Sequence, residues 1–480
     1  MVNRGISRAC DTCRRRRKRV RNGQILSNVT RAYLSCQCDE TRPICTRCQK
    51  ANVTCLGYRS EKELIFRRSY SGPVSVTALP PAGLPREFRH FQIEECALTA
   101  FFHNYVVPPA NDFLSRGYLA GLESLLVLAG PEAEISQACK MVAFASLGNR
   151  HNIPALLYKS RLLYANLLRS FATTVSIAKS TNVVESFLTA VLLGLYELIT
   201  ANLSNPSSHI THSRGASAIL RQTPYQAVDA LRLNDPAKVS QDSDSSGIIY
   251  APFSNGSVHA IDTVLVDLHP LLQKTRALLS NTVTFPEDVG RVLQEAMRLD
   301  KEYSKWPASQ PDEWRPWRVE PCEQASVRYP EWWPRKADFY FDLYVAAAWN
   351  TYRKTRLMLL DVIMQCLNRL QVKDAYGQKQ AEIAELADAI MSSIPFHVTD
   401  QFHNLMQQPN HVTGKVSPGK SVGGLLLMHP VYVAANLDVV SPHLRAQMRN
   451  CLAWIGEHMG IGQATVFSKV GAGSAAYKVN

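Results

Sequence analysis

The sequence predicts a mostly α-helical protein in unequal parts: a small cysteine- and arginine-rich N-terminal domain, a linker, and a large all-α domain. Three observations predict it. Seven of the twelve cysteines fall between Cys10 and Cys55. Residues 1–70 carry seventeen Lys/Arg against five Asp/Glu, whereas the remaining chain is nearly balanced. Beyond residue 90, apolar residues recur at the 3.6-residue spacing of amphipathic helices, and strand-like alternation is rare.

At 480 residues, with 46% hydrophobic and 19% charged residues, the chain reads as globular and long enough for two or three domains. Its formal charge of +13 resides almost wholly in the N-terminal part, which points to a polyanionic partner for that part alone. The start "MVNRGISRAC" lacks the apolar segment of a secretory signal. A reducing compartment is therefore expected, where clustered cysteines hold metal rather than disulfides. The best membrane candidate, Ser186–Tyr196, lies between Glu185 and Glu197. It falls short of the roughly 20 apolar residues that span a bilayer. It is expected to be a buried core helix, and no membrane partner is expected.

The cysteines have a regular frame with one interruption. Cys10 and Cys13 form a C-x2-C pair, as do Cys45 and Cys48. Six residues separate Cys38 from Cys45, and six separate Cys48 from Cys55. Only the step from Cys13 to Cys38 is irregular. Removing Val20–Gln37, which carries the seventh cysteine, Cys36, leaves C-x2-C-x6-C-x6-C-x2-C-x6-C. This string resembles the DNA-binding domain of fungal binuclear zinc cluster transcription factors. The resemblance implies two Zn(II) ions held by Cys10, Cys13, Cys38, Cys45, Cys48 and Cys55, with Cys10 and Cys45 bridging. The stoichiometry is consistent, since two tetrahedral ions need eight coordination positions and six thiolates with two shared supply them.

Residues 20–37 read either as a retained intron or as a loop insertion. Their eighteen codons amount to 54 nucleotides, in frame, and the Val-Arg start and Gln end are compatible with splice-site codons. With the segment in place, 24 residues separate Cys13 from Cys38. Doubling a loop costs only about 0.6 kcal/mol, against roughly 10 kcal/mol or more from a structural zinc site. Cys36 then rivals Cys38, and a single-zinc site of Cys10, Cys13, Cys45 and Cys48 is the fallback.

Six consecutive cations, Arg14, Arg15, Arg16, Arg17, Lys18 and Arg19, follow the first cysteine pair. Arginine and lysine are the side chains that read guanine O6/N7 and neutralise phosphates. The resemblance implies that this run forms a short helix in the DNA groove, with Arg16 and Arg17 reaching the bases of a CGG-type triplet. Lys18, Arg19, Arg47 and Lys50 are then expected at phosphates. The run also has the composition of a nuclear import signal.

The zinc-cluster domain is expected over residues 1–59 and a linker over 60–90, which is rich in Pro, Gly and Ser. The linker has no sustained heptad pattern, so a coiled-coil dimer is not supported, and dimerisation by other means stays open. Helices are then expected in "FQIEECALTAFFHNYVV", "EISQACKMVAFASLGNR", "PALLYKSRLLYANLLRSFATTV", where Pro154 suits a first turn, and the apolar "VVESFLTAVLLGLYELITANL". Further helices are expected in "DTVLVDLHPLLQKTRALL", "EDVGRVLQEAMRLDKEY", "ADFYFDLYVAAAWNTYRKTRLMLLDVIMQCLNRL", "QAEIAELADAIMSSI" and "SPHLRAQMRNCLAWIGEHMG". Between them, Leu233–His259 and Gln407–Gly424 read as loops. Ser304–Arg335, with five tryptophans among prolines, reads as an ordered irregular crossover. Residues 471–480 read as a tail.

Five segments, "FFHNYVVPPANDFLSRGY", "ASLGNR", "VLLGLYELIT", "HSRGASAIL" and "GGLLLMHPVYVAA", resemble the regulatory domain that often follows the zinc cluster in fungal transcription factors. The resemblance covers residues 91–470 and is poor between Leu220 and Asp262. Enzyme motifs fail: "GASAI" lacks the last glycine of a nucleophile elbow, "EHMG" is not H-E-x-x-H, and "GAGSAA" lies too near the last residue to open a helix. His212 and His429 read as capping or core-edge residues. Cys96, Cys139, Cys366 and Cys451 read as small core residues. The expectation is a nuclear, non-enzymatic transcription factor that binds double-stranded DNA and engages the transcription machinery or co-regulators. The alternative is a helical interaction protein whose zinc cluster is disrupted by residues 20–37.

Overall fold

The protein is described by a computed structural model. It describes residues 46–50, 55, 86–111, 114, 115, 117–176, 183–206, 208–222, 261–280, 284–319, 327–400 and 414–470. The chain divides into two compact units, Met1–Pro81 and Ala82–Asn480. The described residues are mostly α, with fourteen helices and four short strands.

In the first unit, α1 spans Thr46–Lys50. In the second, α2 (Arg86–Tyr105), α3 (Leu122–Ala129), α4 (Glu134–Arg150), α5 (Pro154–Ser176), α6 (Val183–Thr200) and α7 (His209–Gln222) form a first bundle. Helix α4 is its axis and packs against α2, α5 and α6. Small residues Ala138, Cys139, Ala143 and Ala145 let these neighbours approach closely, and all four are buried. Helix α6 is long and apolar enough to cross a membrane by length and composition, and 56% of it is buried within the unit.

A second bundle forms around α10 (Leu343–Arg369), which packs against α9 (Pro286–Tyr303), α11 (Tyr376–Val398) and α12 (Ser421–Ala435). Helix α8 (Ile261–Leu279), running through Pro270, packs on α9. Helices α13 (Pro442–His458) and α14 (Gly462–Lys469) close the unit, α14 against α6 and α12 against α2. One contiguous apolar core runs through both bundles.

The tryptophan-rich crossover is ordered. Two 3₁₀ turns, Trp306–Ser309 and Asp312–Trp314, bury their tryptophans, and Trp332 and Trp333 are buried as well. Trp314 Nε1 donates to the Leu114 carbonyl at 2.9 Å, and Trp349 Nε1 donates to the Trp314 carbonyl at 2.7 Å. Trp317 departs from the expected burial, being 62% exposed. Its ring stacks on Phe339, with centroids 4.9 Å apart.

Several sequence expectations are corrected. Ala337–Phe339, read as the start of a helix, is a strand, β3, paired antiparallel with β1 (Trp317–Val319). The helix begins only at Leu343, because the Asp342 carboxylate accepts the Val345 N–H at 2.9 Å and caps it. A parallel pair, β2 (Val327–Arg328) with β4 (Gly414–Lys415), adds further sheet to the domain read as all-α. Helix α2 begins at Arg86, inside the stretch read as linker, and α12 begins at Ser421, inside a stretch read as loop. Cys96 is exposed on α2, while Cys139, Cys366 and Cys451 are buried as expected. Burial pushes the Cys139 thiol up to about 12 and the Cys366 thiol up to about 11. Cys322, Leu233–His259 and the 471–480 tail lie outside the described residues.

Candidate metal and nucleic-acid site

Helix α1 is five residues long, far below the length at which an isolated helix holds itself in water. Something outside the helix must hold it. Cys48 is buried, at 2% exposure, while its neighbours Gln49 and Lys50 are exposed. Cys55 is partly buried. A domain this small rarely builds a sufficient apolar core and usually relies on a metal or disulfides. One thiol turned inward beside an outward lysine suits a helix tethered by its sulfur and offering a cation to solvent.

Of the residues the sequence singles out, Arg47, Cys48 and Lys50 lie on α1, and Cys55 follows it. Cys10, Cys13, Cys38 and Cys45 lie outside the described residues, as do Arg14, Arg15, Arg16, Arg17, Lys18 and Arg19. Val20–Gln37 does as well. The donor chemistry fits zinc: soft thiols in two C-x2-C pairs, one of them opening directly into α1. Among the described residues, no group of three or more His, Cys, Asp or Glu is placed to hold a metal ion.

In the second unit, the motif segments converge on polar contacts that cross helices. The side-chain amide of Asn149, in "ASLGNR", donates to the Ile199 and Gly460 carbonyls, both at 2.8 Å. Arg150 Nη1 donates to Asn104 Oδ1 at 2.7 Å. The Ser421 hydroxyl donates to the Met459 carbonyl at 2.9 Å. In "FFHNYVVPPANDFLSRGY", the backbones of Val107 and Tyr118 exchange hydrogen bonds at 2.8 and 2.9 Å. Gly117 makes this closure possible, since φ is +65° and an added Cβ would lie 2.1 Å from the Val107 carbonyl oxygen.

A second cluster joins α5, α6 and α7. The Tyr164 hydroxyl donates to Glu197 Oε1 and lies 3.0 Å from His212 Nε2. Ser208 donates to the other Glu197 oxygen. Burial and the Glu197 carboxylate push the Tyr164 phenol up. Burial lowers His212, partly offset by Glu197. His429 packs edge-on to Phe467 and is pushed down to about 3 by burial and by Lys354 and His209. Both histidines thus take core-edge roles.

Two ion-pair networks escaped the sequence reading. Asp338 and Arg353 are both buried, with Arg353 Nη2 at 3.5 Å from Asp338 Oδ2 and Arg318 Nε at 2.9 Å from Oδ1. Asp300, Arg356, Lys379 and Glu382 form the other network, across three helices. The charges themselves were visible. Their pairing was not, because most of the partners lie on different helices or strands.

Over 398 residues, the sequence is 38% identical to transcription factor dbaG of Emericella nidulans, covering 82% of this chain and 95% of that protein. The chain belongs to this family of fungal transcription factors. A dbaG-family protein is a regulator of transcription rather than an enzyme. No family model matches the chain, and no solved structure matches it.

Proposed function

We propose that this dbaG-family protein is a nuclear, sequence-specific DNA-binding regulator with a binuclear zinc cluster over residues 1–59. In this reading residues 60–90 link the cluster to a regulatory domain of the fungal transcription factor type over residues 91–470. The observation that carries the reading is the six-cysteine spacing flanking an unbroken run of six cations. Cys10, Cys13, Cys38, Cys45, Cys48 and Cys55 would hold two Zn(II) ions. The metal supplies rigidity that so small a domain lacks. Arg16 and Arg17 read guanine edges, as bidentate donors can in the major groove. Lys18, Arg19, Arg47 and Lys50 neutralise phosphates, Arg14 and Arg15 belong to the same DNA-binding run, and the outward position of Lys50 on α1 is consistent with its role. The helical domain then regulates or recruits the transcription machinery.

Zinc stoichiometry and binding to CGG-containing duplex, measured on the full chain and on a chain lacking Val20–Gln37, test the reading. Two zinc ions per chain with salt-sensitive, sequence-specific binding are expected. One ion or none, with only nonspecific binding in both forms, would overturn it and leave a helical interaction protein. Sequencing the mature transcript separates a retained intron from a genuine loop insertion.

A further inference from the structure

The helical unit contains an open cleft of about 650 Å³ between α9, α10 and α11. That volume falls among small-molecule sites, which run from roughly 300 to 1,000 Å³. Its floor is a closed ring of four charged side chains. Arg356 Nε lies 3.0 Å from Asp300 Oδ1, and its Nη2 lies 2.6 Å from Glu382 Oε2. Lys379 Nζ lies 3.0 Å from Asp300 Oδ2 and 3.0 Å from Glu382 Oε1. Every carboxylate oxygen in the ring is therefore engaged by a cation.

The donors are not exhausted. A guanidinium carries five N–H groups and an ammonium three. The ring takes two from each, and the Tyr352 hydroxyl takes a further one from Arg356. Donors therefore remain on both residues, while each carboxylate oxygen of the ring already faces a cation. The rim increases the imbalance. Lys301 is exposed and has no ion-pair partner among the described residues. Among the described residues, Arg298 pairs only with exposed Glu302, one turn away on the same helix, a weak, solvent-screened contact. The cleft thus sets four cations against two carboxylates. Met297 places an apolar surface, 44% exposed, at its mouth.

We propose that this cleft binds a small amphipathic acid, a carboxylate or phosphate carried on an apolar frame. The acid group meets Lys301 and the spare donors of Arg356 and Lys379, and the frame lies on Met297. The meaning of such a ligand as an effector rests on the regulatory reading above, but its binding does not.

The test is calorimetric titration of the full chain with octanoate, octylammonium and inorganic phosphate. Octanoate is expected to bind one-to-one and octylammonium not to bind. Lys301→Glu is expected to weaken octanoate by about tenfold or more, as replacing an attractive charge by a repulsive one does. Met297→Ser is expected to weaken octanoate while leaving octylammonium unbound. Both side chains are exposed, so an unchanged thermal midpoint certifies folding. The proposal is overturned if octanoate fails to bind at about 1 mM, if it binds wild type and Lys301→Glu equally, or if octylammonium or phosphate alone binds as tightly. Zinc content and duplex binding are measured on the same preparations. Their failure beside intact octanoate binding refutes the zinc-cluster reading and leaves the cleft standing.

Discussion

The guanidinium of Arg150 donates to the side-chain carbonyl of Asn104 at 2.7 Å, tying α4 to α2. Next to it, one amide group, that of Asn149, serves two backbone carbonyls, of Ile199 and Gly460. Asn149→Ala strands both carbonyls. It is expected to destabilise the helical unit by about 2 kcal/mol, read as a lowered urea midpoint at unchanged slope.

Glycines in this unit differ sharply in what they tolerate. A Cβ at Gly423 would lie 1.9 Å from the His397 carbonyl oxygen, whereas one at Gly215 meets nothing within 4 Å. Gly423→Ala is expected to cost about 3 kcal/mol by forcing α12 off α11. Gly215→Ala, inside α7, is expected to stabilise by about 0.5–1 kcal/mol. Thermal denaturation of the two variants separates them by sign.

His397 is buried, its Nδ1 lying 3.0 Å from the Ser393 carbonyl. Burial pushes the imidazole down to about 4, the Ser393 carbonyl opposes the shift, and Arg353 adds to it. The unfolded chain therefore takes up the proton first. Stability present above pH ~6.5 is lost as pH falls toward the folded value, by about 2 kcal/mol at pH 5. His397→Gln removes this titration. The stability difference between wild type and variant is expected to shift by that amount between pH 7.5 and 5, and a difference independent of pH would contradict the assignment.

Asp338 and Arg353 are two buried opposite charges with satisfied partners, since Arg353 also donates to Tyr340 and Asn350 at 2.7 and 2.9 Å. Asp338→Ala leaves the guanidinium without its counter-charge and is expected to cost about 3–5 kcal/mol. Replacing the pair together, Asp338→Leu with Arg353→Met, is expected to cost less than the single change, by guanidinium chloride titration.

Within the zinc-cluster reading, Arg16→Ala is expected to relax discrimination at one guanine for a cost of about 1–3 kcal/mol. Lys50→Ala is expected to weaken all duplexes alike and to lower the salt slope by about one. Equal losses on every sequence for Arg16→Ala would reassign it to a phosphate.

Much of the helical fold was legible because its periodicity is strong. Helix α4 starts and ends where its spacing predicts, and four of the five crossover tryptophans are buried as their density suggested, Trp317 excepted. Three misreadings have definite causes. Ala337–Phe339 runs without a break into the apolar residues of α10, so only the cap at Asp342 marks the boundary. Cys96 lies one position off the buried stripe of Ala97, Phe101 and Tyr105, and one position turns a side chain about 100° around a helix. Helix α14, eight residues opening at a glycine, gave too short a pattern to notice. In the candidate site the cysteine frame was readable as spacing alone. The cleft was not, because Arg356 meets Asp300 across 56 positions and Lys379 meets it across 79.

The Asn149–Gly460 hydrogen bond spans 311 positions of the chain. A nascent polypeptide on the ribosome has α4 long before it has the carbonyl that completes the setting of α4. The hydrogen bond that ties α4 to residue 460 can therefore form only after synthesis has passed α13. A product that stops before residue 460 is expected to lack this tie and to hold α4 by its packing on α2, α5 and α6 alone.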